Sequence, residues 1–151
     1  MKATRLSNLR KNILLGILTV TIGFLSNSCA TNVIFLNSAV VPAAKGSVKV
    51  KTDRNKNYAI EISLTDLAEA SRLQPSKLTY IVWMVTDRDL TKNIGQLNSS
   101  KGFMSKQLKG SFKTVSSDKP VKIFITAEDD AAVQYPGMQV VLSTDKFQLN
   151  R

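Results

Sequence analysis

Apolar and polar residues alternate in short runs over most of the chain that follows residue 29, and this alternation constrains the fold more than any other feature. A period of two places every second side chain on the same face of a β-strand, whereas a helix buried on one side needs a period near 3.6. The run from Tyr58 to Leu64 has a large apolar residue at every second position, and no long stretch after residue 29 keeps the helical period. The sequence therefore predicts an all-β fold.

Clusters of Gly, Pro, Asn and Asp divide this region into about eight predicted strands. Residues 53–57 form a predicted hairpin turn, and residues 66–73, which could form one helical turn before Pro75, are predicted as a loop. Eight short strands in roughly 110 residues are typical of an antiparallel β-sandwich. The predicted strands are Asn32–Leu36, Ser47–Lys51, Tyr58–Leu64, Leu78–Thr86, Ile94–Leu97, Leu108–Val115, Val121–Thr126 and Gln139–Ser143.

The run Leu78–Thr86 is apolar on both faces, which predicts a central strand covered by other residues on each side. We expect Trp83 and Tyr80 on this strand to lie in or beside the core, because aromatic residues on strands usually fill sandwich cores. A chain of 151 residues, 43% of them apolar, is long enough for one compact domain. No internal repeat or low-complexity tract divides it, so residues 29–151 are predicted to form a single domain.

The first 28 residues are organised like a secretory signal peptide. Met1–Asn12 carries four positive charges and no negative charge, and the apolar run Ile13–Leu25 follows it. A helix over that run would be about 20 Å long, which is shorter than the ~30 Å hydrocarbon core of a bilayer. A cleaved signal is therefore favoured over a permanent transmembrane anchor.

Cys29, the single cysteine of the chain, follows the apolar run after three small or polar residues. The segment resembles the lipobox of bacterial lipoproteins, in which the cysteine thiol accepts a diacylglycerol and the peptide bond before the cysteine is cleaved. Leu25 lies one place further from Cys29 than in the commonest pattern, and Asn27 replaces a small residue. Ordinary cleavage near Ala30 and an uncleaved anchor therefore stay as alternatives. We predict a lipoprotein signal peptide over residues 1–28 and lipid attachment, by diacylglycerol and palmitate, at Cys29.

The predicted anchor places the mature chain outside the cytoplasm, on the cell membrane or the outer membrane. Ala30 stands where some bacterial lipoproteins have an acidic residue that retains them in the inner membrane, so the outer membrane is favoured. Three residues separate Cys29 from Val33. At about 3.3 to 3.6 Å per residue, this tether holds the first strand close to the lipid headgroups.

The charge of the mature chain favours anionic partners, such as phospholipid headgroups or acidic envelope polymers. Removal of residues 1–28 would leave 17 basic and 11 acidic residues, a net charge of +6. One local basic run is interrupted by Asp53 and has only Tyr58 as a neighbouring aromatic residue, so it does not predict a nucleic-acid site. We interpret it as a solvated hairpin surface. The run consists of Lys45, Lys49, Lys51, Arg54 and Lys56.

The chain has no histidine, which removes the commonest general base and the commonest metal ligand. The densest acidic cluster, Glu128-Asp129-Asp130, could supply oxygen ligands to Ca²⁺ together with Asp87 and Asp89 if the two loops met in space. A solvated loop is the favoured interpretation, because the spacing lacks the glycine and the distal glutamate of an EF-hand. No catalytic residue, metal site or cofactor is predicted.

A set of segments between Val40 and Thr144 carries a family resemblance through its order and spacing. The segments are Gly46-Ser47-Val48-Lys49-Val50, Tyr80-Ile81-Val82-Trp83, Gly95-Gln96-Leu97, Ile125-Thr126-Ala127-Glu128 and Tyr135 to Ser143. Together they resemble the extracytoplasmic domain of anti-sigma-K factors. The resemblance implies an immunoglobulin-like β-sandwich and an envelope location, and it supplies no catalytic residues. Those factors have a sigma-binding region before their transmembrane helix, where this sequence has only Met1–Asn12, so sigma-factor binding is not expected.

The predicted envelope location and the lack of predicted catalytic residues favour a non-enzymatic, membrane-anchored lipoprotein whose sandwich binds or senses another envelope component. Tyr135 is the best sequence candidate for a ligand contact, because it stands beside Pro136-Gly137 in a predicted loop. The alternative is a small carboxylate-dependent envelope hydrolase, since two carboxyl groups about 5 to 10 Å apart can cleave glycosidic bonds. Such an enzyme also needs an enclosing cleft, which is hard to build in a chain of this size.

Overall fold

The computed structural model describes residues 30–101 and 108–149, which form an all-β structure of two antiparallel sheets. The five-stranded sheet has the order β1-β2-β3-β7-β6, and the four-stranded sheet has the order β5-β4-β8-β9. One short 3-10 turn, Ala70–Arg72, follows β3. The strands are β1 (Ala30–Ile34), β2 (Lys45–Thr52), β3 (Tyr58–Leu67), β4 (Thr79–Thr86), β5 (Thr91–Gln96), β6 (Asn98–Lys101), β7 (Leu108–Ser116), β8 (Pro120–Glu128) and β9 (Val140–Ser143).

The two sheets bury one hydrophobic core between their inner faces, as in a β-sandwich. In β3, Ile60, Ile62 and Leu64 are at most 2% exposed, and polar residues occupy the positions between them. This alternation directs one face of the strand into the core and the other to solvent. The four-stranded sheet contributes, among others, Tyr80, Val82, Met84, Ile123 and Ile125 to the same core.

The predicted all-β fold is confirmed, but the prediction of about eight strands missed β6. The sequence of β6, Asn-Ser-Ser-Lys, contains no apolar residue, so it has no alternation to detect. The prediction of a loop over residues 66–73 is wrong in part, because β3 continues to Leu67 through a bulge after Leu64 and Ala70–Arg72 forms the 3-10 turn.

The predictions for the signal peptide and for Cys29 concern residues outside those that the structure describes. In the part of the chain that is described, no helix is long and apolar enough to cross a membrane.

The predicted hairpin turn at residues 53–57 is confirmed, and Asp53 organises it. Asp53 Oδ1 accepts hydrogen bonds from the backbone N–H groups of Asn55 and Asn57, each at 2.8 Å, and Asn57 Nδ2 donates to Asp53 Oδ2 at 3.0 Å. The Asn57 side chain and these backbone donors lower the pKa of Asp53. Ala30 pairs with Lys51 just before this turn, and we call this end of the sandwich the hairpin end.

The opposite end of the sandwich is marked by Glu128, the last residue of β8, which pairs with Thr79 at the start of β4. The side chain of Tyr80 joins the two sheets here, because its hydroxyl donates to the carbonyl of Ala68 just beyond β3 at 3.0 Å. Burial raises the pKa of Tyr80 to about 12. We call this end the Glu128 end.

Candidate functional site

The loop of residues 129–139, which connects β8 to β9, folds over the outer face of the four-stranded sheet. Asn93 on β5 holds it there, because its Nδ2 donates to the carbonyl oxygens of Ala131 at 3.1 Å and Val133 at 2.9 Å. β5 and β8 lie on opposite sides of β4 in the sheet. To reach Asn93 from β8, the loop must therefore cross β4, and it covers the outward-facing residues of that strand.

Trp83 lies beneath this loop. Its neighbours Val82 and Met84 face the core between the sheets, so Trp83 points to the outer face of β4. It is nevertheless 0% exposed, and its ring stacks on that of Phe124 with the centroids 6.2 Å apart. The predicted burial of Trp83 is confirmed, and its place is beside the core, on the opposite face of β4 from Tyr80.

A chain of hydrogen bonds connects Trp83 to the loop. Trp83 Nε1 donates to Thr126 Oγ1 at 2.8 Å, and the Thr126 hydroxyl donates to Glu128 Oε1 at 2.6 Å. The backbone N–H of Gly137 donates to the same carboxylate oxygen at 2.7 Å. Thr126 is 0% exposed and Glu128 is 7% exposed. The buried outer face of the sheet therefore fixes the position of the loop backbone at Gly137.

Gly137 is required by the closeness of this contact. A Cβ atom at this position would lie 2.7 Å from Glu128 Oε2 and 3.0 Å from Oε1, closer than carbon and oxygen pack without a shift. A residue without a side chain lets the loop backbone approach the carboxylate.

The interpretation of the acidic cluster as a solvated loop is wrong for Glu128. β8 continues through Glu128, and the alternation of the strand turns its side chain onto the covered outer face. Asp129 and Asp130 are exposed as expected. Lys77 Nζ lies 2.6 Å from Asp129 Oδ2, and Asp130 Oδ1 accepts the backbone N–H of Ala132 at 3.0 Å.

The two acidic regions considered for a Ca²⁺ site do not meet. Asp87 and Asp89 follow the last residue of β4, whereas Glu128 lies beside its first residue, Thr79. A strand of eight residues separates them, which is about 25 Å at the usual rise of a strand. Among residues 30–101 and 108–149, no group of three or more acidic or cysteine side chains is placed to hold a metal ion.

The outer surface of the loop presents two large apolar side chains to solvent. Tyr135 is 82% exposed and Met138 is 102% exposed. Tyr135 is the residue that the sequence offered as a candidate ligand contact, and that role stays a prediction, whereas Met138 was not singled out from the sequence. Exposed apolar side chains on a loop that is fixed from below are typical of a contact surface.

A shallow depression of about 330 Å³ lies beside Met138 and is also lined by Pro75, Lys77 and Glu128. Gln139 lines the same depression, and its Oε1 is a buried acceptor without a hydrogen-bond partner in the described part of the chain. We refer to Tyr135, Met138 and this depression together as the loop surface.

Several residues of the site, namely Asn93, Thr126, Gly137 and Gln139, were not identified from the sequence. One sequence feature could have pointed to this site. Thr126 and Glu128 occupy alternate positions of a strand whose other face is apolar. Polar residues on the outer face of a sheet are normally solvated, so this signal does not distinguish a covered face from an open one.

The carboxylate of Glu128 is committed to internal hydrogen bonds, and the arrangement offers a fixed surface with exposed apolar side chains. No family model, curated protein or solved structure matches this chain, so its function is inferred from the residues and their geometry.

Proposed function

We propose that this chain is a lipid-anchored protein of the cell envelope whose β-sandwich binds another envelope component through the loop surface, without catalysis. The observation that carries the proposal is an exposed apolar surface on a fixed backbone. Tyr135 and Met138 are in solvent, while Gly137 between them is hydrogen-bonded to the buried Glu128. A partner that covered both side chains would gain apolar burial, and a loop that is already fixed would lose little conformational entropy.

The pairing of β1 is compatible with a lipid anchor at Cys29. Ala30, the residue that follows Cys29, pairs with Lys51 of β2. Cleavage before Cys29 would leave every described strand and its pairing intact.

The type of sandwich and the location belong to the same proposal. We propose an immunoglobulin-like arrangement, as the resemblance to the extracytoplasmic domain of anti-sigma-K factors implies, and two antiparallel sheets around one core are compatible with it. The basic excess of the mature sequence supports a position on an anionic membrane, either the cell membrane or the outer membrane.

Site-specific photocrosslinking in cells tests the loop surface. A photoreactive phenylalanine analogue replaces Tyr135 or Met138 in the full-length protein, and a matched control carries it at Asn55, an exposed residue of the hairpin turn at the opposite end. We expect one discrete adduct from positions 135 and 138 and none from position 55.

The same adduct should weaken when the other exposed residue of the pair is truncated, by Met138→Ser for the label at position 135. Adducts that are equally abundant at all three positions would contradict the proposal, because they would show diffuse contact without a binding surface.

The alternative of a carboxylate-dependent hydrolase uses the same residue, since Glu128 borders the depression. A screen of the purified protein against envelope glycans and esters decides between the two functions. Turnover that is present in the wild type and lost in Glu128→Gln, with the fold retained, would overturn the binding-only proposal.

A further inference from the structure

The outer face of the five-stranded sheet carries a concentration of lysines. Lys45, Lys49 and Lys51 lie at alternate positions of β2, and Lys109 and Lys113 lie at outward positions of β7. The strand between them, β3, contributes one acidic residue, Glu61, to the regular part of this face. The register places Lys49, Glu61 and Lys113 side by side in one row across the three strands.

Most of these lysines are not neutralised by neighbouring carboxylates. Lys113 Nζ lies 2.7 Å from Glu61 Oε1, and this hydrogen bond, with smaller contributions from Lys49 and Lys51, lowers the pKa of Glu61. In the described chain, the other lysines of the face form no ion pair. Several basic residues elsewhere do form ion pairs, as Arg88 and Lys92 do with Asp118 and Lys146 does with Asp89.

The same face has a shallow apolar floor between the lysines. A depression of about 320 Å³ is lined by Lys49, Lys51 and Lys113 and by the residues Ala59, Glu61 and Val115. Val115 is 67% exposed and lies near the end of β7, beyond the residues of β7 that pair with β6. A rim of ammonium groups around an exposed aliphatic side chain matches the border between lipid headgroups and acyl chains.

The position of this face relative to Cys29 identifies its partner. Ala30, Lys51, Ala59 and Val115 form one row across the sheet. Cys29 precedes Ala30 directly, and successive Cα atoms are about 3.8 Å apart. We call the outer face of the five-stranded sheet, with its five lysines on β2 and β7, the lysine face. An acyl chain on Cys29 would therefore bring the bilayer surface to the row of this face that contains Lys51.

We propose that the outer face of the five-stranded sheet, centred on Lys49, Lys51 and Lys113, docks on anionic phospholipid headgroups. The inference rests on the proposed lipid anchor and adds the face and the lipid class that the anchored domain contacts. Each lysine near an anionic surface favours the docked state by about fivefold at physiological ionic strength. Because Glu61 offsets one of the three charges, the cluster contributes the equivalent of two lysines, roughly thirtyfold, which is enough to hold a tethered domain against the membrane.

The test uses the full-length lipidated protein reconstituted in vesicles of phosphatidylcholine alone or with phosphatidylglycerol. An environment-sensitive dye on Val115→Cys reports contact at the face, and the same dye on Gln134→Cys, in the 129–139 loop, is the control. Acylation of Cys29 leaves the introduced thiol as the only one available to the dye. We expect a blue shift at position 115 in anionic vesicles only, its reversal at high salt, and no change at position 134.

Two triple variants that lose the same charge test whether docking depends on the lysine face or only on the net positive charge of the protein. Lys49→Gln with Lys51→Gln and Lys113→Gln should remove most of the shift at position 115. The triple variant Lys119→Gln, Lys122→Gln and Lys146→Gln removes the same charge from positions in or next to the four-stranded sheet. This variant should retain the shift at position 115. Equal loss in both variants would show that only net charge acts, and it would overturn the docking face.

Flotation with neutral vesicles and the mass of the acylated peptide test the anchor separately from the docking. Protein that floats with both kinds of vesicle, but whose dye at position 115 does not respond, would overturn the docking and leave the anchor in place. Protein that does not float with neutral vesicles would overturn the anchor and the docking that rests on it. If soluble polyphosphate added to protein on neutral vesicles shifted the dye at position 115 as much as anionic vesicles do, the face would bind a soluble polyanion. That result would also overturn membrane docking.

Discussion

Trp83 is buried by a loop, and this determines what its removal should do. The side chain fills the space between Phe124, Thr126 and the 129–139 loop on the outer face of β4. Its indole N–H also starts the hydrogen-bond chain that ends at Gly137. One residue therefore contributes both packing and a polar link to the same surface.

We expect Trp83→Ala to lower the free energy of unfolding by about 3 to 5 kcal/mol, as truncation of a large buried aromatic residue does. Trp83→Phe is the matched control, because it retains most of the ring volume and removes the donor to Thr126, which should lower stability by about 1 to 3 kcal/mol. Chemical denaturation of the three proteins measures both effects. An unchanged midpoint for Trp83→Ala would contradict the buried position.

The sequence predicted the burial of Trp83 but not the side of the strand on which it is buried. The run Leu78–Thr86 is apolar at nearly every position, so its alternation does not tell the inner face from the outer face. For Glu128, the sequence predicted the wrong environment. Its charge predicted a solvent-exposed side chain, whereas the side chain is buried and Thr126 and Gly137 donate hydrogen bonds to its carboxylate.

At the scale of elements, the 129–139 loop is held by contacts at both of its ends. Asn93 binds the carbonyls of Ala131 and Val133, and Glu128 binds the N–H of Gly137. The segment between these contacts carries Tyr135, and Met138 follows Gly137. A change at one contact should therefore loosen the surface without unfolding the sandwich.

Gly137→Ala should displace the loop, because the added Cβ would lie 2.7 Å from Glu128 Oε2. Trp83 is the only tryptophan of the chain, so its fluorescence reports how well the loop covers it. We expect a red shift of emission and stronger quenching by acrylamide, with the circular dichroism of the strands unchanged. Emission identical to that of the wild type would show that the loop tolerates the extra methyl group.

Asp118 joins two turns at the hairpin end of the four-stranded sheet, through Lys92 Nζ at 2.5 Å and Arg88 Nη2 at 2.7 Å. The hydrogen bond from Lys92, followed by that from Arg88, lowers the pKa of Asp118. Because the pKa is lower in the folded state, the carboxylate stabilises the fold above its unfolded pKa of about 3.9. This contribution is lost as the pH falls through the lower folded-state value.

We therefore expect Asp118→Asn to unfold at a lower temperature than the wild type at neutral pH, by a modest amount because both partners are partly solvated. The difference should shrink as the pH falls below about 4. Lys92→Gln should reproduce part of the effect, because it removes the larger cause. Thermal unfolding between neutral and acidic pH measures it, and a difference independent of pH would argue against the ion pairs.

The elements that the sequence identified are rich in apolar residues, which alternate in β3 and are nearly continuous in β4. The missed part of β5 consists of the polar residues Thr91, Lys92 and Asn93, and β6 has no apolar residue. β6 depends on pairing with β7 for its structure. Such strands are defined by a neighbour in the sheet, and local sequence cannot reveal that neighbour.

At the scale of the whole molecule, the proposed docking face and the proposed binding surface lie on opposite sides of the sandwich. The lysine face is the outer face of one sheet, and the 129–139 loop covers the outer face of the other. Stacked sheets are about 10 Å apart. A domain that docks through its lysines would therefore present Tyr135 and Met138 away from the membrane, roughly 20 Å above the headgroups once the side chains and loop are included.

For the anchor, we expect Cys29→Ser to abolish lipid attachment and to leave the precursor uncleaved by the lipoprotein peptidase, because the thiol is the acceptor. Metabolic labelling with an alkynyl fatty acid, followed by electrophoresis, measures attachment and cleavage together. Ser28→Ala, which keeps the thiol and a small neighbouring residue, is the control and should label like the wild type. Equal labelling of wild type and Cys29→Ser would falsify the proposed anchor.

The lengths of the strands have a consequence for molecules crowded together on one membrane. In the four-stranded sheet, the edge strands β5 and β9 have six and four residues, whereas the interior strands β4 and β8 have eight and nine. Exposed edges are where neighbouring copies join by backbone hydrogen bonds and aggregate, and short edges offer few such bonds. Lateral confinement by the proposed anchor would therefore raise the frequency of encounters between copies without stabilising their association through these edges.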